Sequence, residues 1–575
     1  MNKELAAVFS RMAMYLQIDE VPFKPQAYER AAEALEVLSE SVKEVYKKGG
    51  KKGLEEIPGV GKGIAEKIEE YIKTGSVREY EQLRKKIPVD MEELTRVEGL
   101  GPKMVRDLYK HLKIKTLRDL ERAAKAGKIR DLPNFGEKTE QNILQGIAFV
   151  KKDTGRWLLG KIYPSMELLV AELQKSPAIN QAIAAGSIRR MKETIGDIDI
   201  LATSSKPEKA VEYFLSKVSY EKIWGKGATK VSVRTKEGFD VDLRILPDEV
   251  FGAGLQYFTG SKEHNVKLRT YAASKGYKLS EYGLFKGKKR IACRTEEEVY
   301  KALGMAYIEP ELREDQGEIE AALRQAQGKL PGLPNVIPYG SLKGDLQIQT
   351  DWTDGKHSIE NMAKEAKKQG LEYIAITDHT RDLAMTGGLD EKKLELQMKE
   401  IDEVNKKVSG VRILKGAEVN IRKDGSLDIA DEALAKLDVV GISVHSNFKM
   451  NKKDMTERIA RAMQNPHADI LFHPTGRLIH KREAYDVDMD KVVQKAKETG
   501  TVLEINAFPE RLDLKDVDIK KAKEAGVKFA IDSDAHATEH IAYLKYGVAQ
   551  ARRGWAEAKD VINAWPREKM LSMLK

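Results

Sequence analysis

Asp197 and Asp199 stand two residues apart in IGDIDIL, a β-branched run that predicts a strand, so both carboxylates project from one face. A second run, FDVDLRI, can bring Asp240 or Asp242 beside them. Three carboxylates on neighbouring strands make a hard oxygen site suited to two Mg²⁺ ions and the phosphates that complete their octahedra. Just upstream, AAGSIRR supplies a turn at Gly186 and Ser187 and two guanidinium groups, Arg189 and Arg190, matched to triphosphate oxygens. An Asp-x-Asp pair alone is a common surface feature; its spacing from GSIRR gives it weight.

Histidine supplies the second candidate chemistry. Eight of ten histidines follow residue 335, and with acids they recur where strand-like runs end: Asp354, His379, Glu418, His445, His473, Asp534 and His536. Ligands from the C-terminal ends of several parallel strands converge in a barrel mouth, where they can hold metal.

A third pattern lies near the N-terminus. IPGVGKGIA, VEGLGPKMV and LPNFGEKTE each read as a hydrophobe, a short glycine hairpin and a helix start, with Gly59 and Gly61 in the first and Gly99 and Gly101 in the second. The third carries Asn134 in place of its first glycine. Such hairpins offer backbone N–H groups to a phosphate without reading base sequence. On the helix after the first hairpin, Lys67 stands between Glu66 and Glu69.

These groups need elements to position them. Residues 1–150 read as helices broken by Gly and Pro, 151–315 as an α+β unit, and KLPGLPNVIPYGSLKGD as a turn-rich junction. From 345 onward six or seven strand runs alternate with helices, which predicts a parallel barrel. At 575 residues several domains are expected. No apolar run reaches the roughly 20 residues of a membrane helix, and the single Cys293 excludes an internal disulfide or cysteine cluster; a cytoplasmic chain with no membrane partner is expected. The net charge of +9 lies wholly before residue 335, where Lys+Arg number 59 against 50 acids, while the remainder balances at 40 against 40. A polyanion therefore belongs with the first part.

The GSIRR and IGDIDIL segments resemble the nucleotidyltransferase superfamily, and YFTGSKEHN resembles the nucleotide-binding segment of family X DNA polymerases. That resemblance implies that Tyr257 and Phe258 exclude a ribose 2′-hydroxyl, that Asn265 touches the incoming base with Gly260 at the turn between, and that Asp242 rather than Asp240 is the third catalytic acid. GVGKGIAEKIEEY resembles the lyase domain of DNA polymerase beta, which makes Lys67 the Schiff-base nucleophile for an abasic sugar. The C-terminal ligands resemble the PHP domain, a distorted barrel that binds Zn²⁺ or Mn²⁺ and cleaves phosphoesters. Together they match the bacterial polymerase-PHP architecture.

The implied organisation is a helical lyase-like domain at 1–85, helical fingers at 86–150, a nucleotidyltransferase palm at 151–245, a thumb at 246–315, a linker at 316–340 and a PHP barrel at 341–575. The implied activity is gap-filling DNA repair on gapped or nicked double-stranded DNA, using dNTPs and Mg²⁺ or Mn²⁺, by a monomer associated with the nucleoid. Alternatives are a template-independent nucleotidyltransferase and a DNA-binding scaffold with a vestigial centre. One departure stands out. The PHP family opens with His-x-His in a segment like GDLHxHT, and this chain reads GDLQIQT, with Gln347 and Gln349 at those positions. An amide is a poor substitute for imidazole at a Zn²⁺ or Mn²⁺ site, so hydrolysis is expected to be weakened or lost.

Overall fold

The computed structural model describes residues 1–574 apart from 19–20, 22–23, 39–40, 58, 96, 98–99, 134, 152–154 and 384–385. Gly99 and Asn134 of the glycine hairpins thus lie outside the described residues. Two compact units result, residues 1–153 with 480–482, and residues 154–479 with 483–575.

The first unit is helical. Leu5, Phe9, Met12 and Leu16 recur at helical spacing and are buried together with Ile64, Ile68, Val105 and Leu108. Helices α1 (Lys62–Thr74) and α2 (Arg78–Lys86) follow the first hairpin, and α3 (Pro102–Leu112) follows the second.

The second unit begins with a five-stranded sheet of β1 (Gln181–Ala184), β2 (Asp197–Thr203), β3 (Tyr220–Lys226), β4 (Lys230–Thr235) and β5 (Asp240–Leu246), in spatial order β1-β2-β5-β4-β3. Alternation along β2 decides what each face does. Ile198, Ile200 and Ala202 pack into a core with Ile162, Met166 and Phe214, which leaves Asp197 and Asp199 on the other face. On that other face Leu201 packs with Leu246, Leu255 and Leu268, so α4 (Phe251–Thr259) and α5 (Lys262–Ser274) lie against the acidic side of the sheet.

Seven parallel strands follow: β6 (Gly344–Ile348), β7 (Tyr373–Ile376), β8 (Arg412–Asn420), β9 (Val439–Ser443), β10 (Ile470–Leu471), β11 (Val502–Asn506) and β12 (Phe529–Asp532), each beside its sequence neighbour. A bridge from Ile348 to Ala535 links the first strand to the segment just after the last, with the Gln349 N–H donating to the Ala535 carbonyl at 2.8 Å. Residues from every strand, among them Leu346, Tyr373, Ile470 and Ala530, fill the interior, while Ile374, Ile376 and Leu503 pack under the helices. Among the described residues no helix is long and apolar enough to cross a membrane.

Candidate functional site

The palm acids are set by register. β2 and β5 run parallel with Asp199 opposite Asp242 and Asp197 opposite Asp240. Asp240 is engaged elsewhere: it accepts from Trp224 Nε1 at 2.9 Å and pairs with Arg234 at 3.2 Å. Asp242 meets only a displaceable cation among its described ion pairs, Lys230 at 3.2 Å. Gly186, at φ +61°, packs so closely on Asp199 that a Cβ would overlap its carboxylate, and the half-buried Ser187 follows in the turn. Burial first, then the charges of Asp197 and Asp242, push Asp199 up to about 7. Asp197 is raised as well, by burial and by Asp242. Accumulated negative charge on an all-oxygen donor set fits hard divalent cations, and it is relieved by them.

The YFTGSKEHN segment lies on the same side of the sheet, where Phe258 packs against the group that holds Leu201. Tyr257 and Phe258 meet edge to face with ring centres 5.2 Å apart, and the Arg244 guanidinium lies 5.3 Å over Phe258. Asn265 donates to the Tyr257 carbonyl at 2.7 Å and accepts from Gln256 at 2.8 Å. Gly260 has φ +70° and Arg190 Nη1 lies 3.1 Å from its Cβ position. The two arginines of GSIRR part company. Arg189 is locked in a two-point pair with Glu296 at 3.0 and 2.7 Å. Arg190 stays beside the loop, donating to the Thr259 carbonyl and pairing with Glu314 at 2.9 Å.

The barrel ligands converge as their strand-end positions predict. Asp354, His379 and His536 offer ligand atoms within 4.8 Å of one another, and so do His379, Glu418 and His445. His473 Nε2 lies 2.8 Å from Glu418 Oε1. Burial would raise Glu418, but the imidazoles of His379 and His445 hold it well below the ordinary carboxylate range. Burial would lower His379, yet Glu418 and Asp354 push it to about 9; burial takes His445 down to about 4. The buried His473 Nδ1 has no hydrogen-bond partner, and His379 Nδ1 lies 3.3 Å from Glu418 Oε2. Imidazoles crowded on carboxylates, one with an unsatisfied ring nitrogen, fit a Zn²⁺ or Mn²⁺ site.

The two glutamines alter one corner of it. Gln349 Nε2 donates to Glu418 Oε2 at 2.9 Å. Gln347 Oε1 accepts from Asn506 at 3.2 Å, and Asn506 also donates to Asp534 at 3.1 Å. Arg511 pairs with Asp534 at 3.0 Å. A Gln/Gln pair with an arginine at this corner does not fit the metal that His-x-His implies. Nothing in NAFPERLD marks Asn506 or Arg511 locally, because both approach Asp534 only through the fold.

In the helical unit, the helices after Gly61 and Gly101 begin without a side-chain cap, which leaves first-turn N–H groups available to an anion. In the third hairpin, buried Glu140 instead accepts from the Ile129 and Arg130 N–H groups at 2.9 and 3.1 Å. Lys67 shares a cleft of about 740 Å³ with Tyr28, Gly59, Gly61 and Glu79. Its partner is Glu79, at 2.9 Å. Glu66 and Glu69, its neighbours in sequence, pair with Lys51 at 3.6 and 3.4 Å.

A three-acid palm joined to a histidine-rich parallel barrel defines a nucleotidyltransferase fused to a PHP-type metal domain. Family matches agree: "Helix-hairpin-helix domain" over residues 1–77, "SAM-like Helix-hairpin-helix tandem" over 91–148, "DNA polymerase beta thumb" over 254–314 and "PHP domain" over 345–565. The chain is 36% identical over 579 residues to the "DNA polymerase/3'-5' exonuclease PolX" of Bacillus subtilis, covering 100% of this chain and 99% of that protein. It is also similar to proteins named "Probable phosphatase", 33% identical over 192 residues in Acetivibrio thermocellus and 34% over 188 in Caldicellulosiruptor bescii, which cover 32% and 31% of this chain and 75% and 73% of those proteins. The chain belongs to the PolX family, the family X DNA polymerases with a C-terminal PHP domain. Such enzymes act on DNA and dNTPs with divalent metals.

Proposed function

We propose that this chain fills short gaps in nicked or gapped duplex DNA by template-directed addition of dNTPs, with Asp197, Asp199 and Asp242 as the catalytic acids. The observation that carries this reading is the parallel register of Asp199 against Asp242, with Gly186 closed on Asp199. Asp197 and Asp199 would hold two Mg²⁺ or Mn²⁺ ions and Asp242 would share one. When bound, these ions offset charge on the triphosphate and lower the pKa of the primer 3′-hydroxyl. Asp242 accepts the proton from that hydroxyl, and the α-phosphate is attacked in line as pyrophosphate leaves. The Gly186–Ser187 turn and Arg190 receive triphosphate oxygens, Tyr257 and Phe258 face the sugar, and Asn265 faces the base. Positioning and electrostatics supply most of the catalysis. Uncapped helix starts at Gly61 and Gly101 grip duplex phosphates.

Primer extension across a one-nucleotide gap, with each dNTP in turn, tests this. Template-matched incorporation that Asp199→Ala abolishes supports it. Incorporation indifferent to the template supports an end-adding transferase, and none from the wild type leaves a scaffold.

A second reading concerns the barrel. The Bacillus subtilis relative is named for a 3′-5′ exonuclease as well as a polymerase. In this chain the barrel would hold Zn²⁺ or Mn²⁺ on Asp354, His379 and His536 and on Glu418, His445 and His473, with exonuclease activity weakened at the Gln347 and Gln349 corner. The amide of Gln349 on Glu418 favours this. Lys67, in its cleft with Glu79, is proposed as the amine of an abasic-site lyase.

A further inference from the structure

We propose that Arg553, at the end of helix α6 (Leu544–Arg553) in the barrel half, is a positioning residue for nucleotide addition in the palm. The inference rests on the reading that Arg190 meets the dNTP triphosphate. Arg553 is buried, with a side chain only 2% exposed. Its Nη1 donates to the Arg190 carbonyl at 2.9 Å and to Glu314 Oε1 at 3.0 Å, and its Nη2 pairs with Asp516 of the barrel half. A guanidinium this buried persists only where its donors are matched, and here they are matched across the junction between palm and barrel.

Glu314 is the hub. The same Oε1 that meets Arg553 accepts from Arg190 Nε at 2.9 Å, and Lys192 approaches the other oxygen at 3.6 Å. Burial would raise Glu314, but Arg553, then Arg190, then Lys192 bring it down to about 2. The residue before it is built into the YFTGSKEHN segment, because the Ser261 N–H donates to the Arg313 carbonyl at 3.1 Å. The turn Gly186–Arg190 is therefore held at both ends, by Asp199 against Gly186 and by Arg553 against the Arg190 carbonyl.

The consequence concerns the step Arg190 must take. To reach a triphosphate its side chain has to leave Glu314. While Arg553 shares that carboxylate, Glu314 remains paired when Arg190 departs. Without Arg553, the largely enclosed carboxylate would be left with Lys192 alone at 3.6 Å, so Glu314 would retain Arg190 and the dNTP would bind more weakly.

The test uses the full-length protein in single-nucleotide gap filling. Arg553→Met and Arg553→Lys are expected to raise KM for the dNTP roughly tenfold, within the range of ordinary coupling between sites, with kcat changed far less and KM for gapped DNA unchanged. Lysine keeps the charge but loses the two-way fork. Glu314→Gln in the Arg553→Met background should restore most of the dNTP affinity, a rescue that a purely structural role would not give. Asp516→Asn, which leaves every palm contact in place, should raise KM in the same direction by less. A folded Arg553→Lys protein with dNTP KM within about twofold of wild type, or Arg553→Met and Glu314→Gln losses that multiply, would overturn the inference. Arg190→Ala separates the two levels. If it leaves dNTP KM unchanged, the reading of Arg190 is wrong; if it raises KM while Arg553→Lys does not, only the role of Arg553 is wrong.

Discussion

Gln349 donates its side-chain amide to Glu418 across 2.9 Å at the barrel mouth, at a position where the PHP pattern has an imidazole. Asp534, the other carboxylate of that corner, is held by Arg511 at 3.0 Å and Asn506 at 3.1 Å. Protein donors meet Asp534 and Glu418 Oε2 at this corner, while Glu418 Oε1 stays beside His445 and His473. The remaining ligands keep their convergence, since Asp354, His379 and His536 still lie within 4.8 Å of one another.

Restoring both imidazoles should therefore restore hydrolysis. The Gln347→His/Gln349→His protein is expected to release 3′-terminal nucleotides from single-stranded DNA with Mn²⁺ at least about tenfold faster than wild type, the scale on which metal sites respond to their supporting groups. Calorimetric titration should show one more Mn²⁺ bound per chain. Equal rates and equal stoichiometry in the two proteins would sink the idea.

Gly186 gives a sharper test of the palm. A methyl group there would overlap the Asp199 carboxylate, and φ +61° disfavours any other residue. Gly186→Ala should lower gap-filling kcat by about 100-fold or more, as displaced catalytic geometry does. Any Mn²⁺-dependent hydrolysis in the barrel should stay unchanged, measured on the same preparation. Full polymerase activity in this variant would mean that the turn does not set the position of Asp199.

How much of this was legible in the sequence follows from the range of the forces involved. The alternation that puts Asp197 and Asp199 on one face is local, and the strand-end histidines follow from parallel topology, so both could be read. The choice of Asp242 over Asp240 rests on family resemblance alone; the contacts of Asp240 with Trp224 and Arg234 need the hairpin of β3 and β4 and leave no local trace. Lys67 illustrates the limit. Adjacent acids suggested Glu66 and Glu69 as its electrostatic neighbours, but successive helical residues point in different directions, and the partner is Glu79 from the next helix. The bridge from Arg553 to Glu314 spans 239 positions and left no local trace.

The pair of Lys67 and Glu79 leads to its own prediction. An amine bound to a carboxylate at 2.9 Å must leave it before attacking a sugar aldehyde. Burial would raise Glu79, but its contacts with Lys67 and Lys24 keep it below its usual value. Glu79→Gln should thus accelerate borohydride trapping on DNA carrying a 5′-deoxyribose phosphate by roughly two- to fivefold, the range of a partly exposed ion pair. Lys67→Ala should abolish trapping. Trapping that survives in Lys67→Ala would assign the amine to another lysine.

The elevated Asp199 makes folding stability depend on pH when no divalent metal is bound. Its folded value of about 7 exceeds the ordinary carboxylate value, because burial and then the charges of Asp197 and Asp242 disfavour ionisation. The folded state therefore binds a proton more tightly than the unfolded state, and stability falls as pH rises from about 4 to about 7. Asp199→Asn removes that dependence. In EDTA the variant should be more stable than wild type at pH 8 by on the order of 1–3 kcal/mol, and the advantage should vanish near pH 4. Added Mg²⁺ should reverse the order at pH 8 by binding the wild-type acids. Denaturant unfolding at the two pH values, with and without Mg²⁺, measures all three. A variant no more stable than wild type at pH 8 in EDTA would show that Asp199 ionises there without strain.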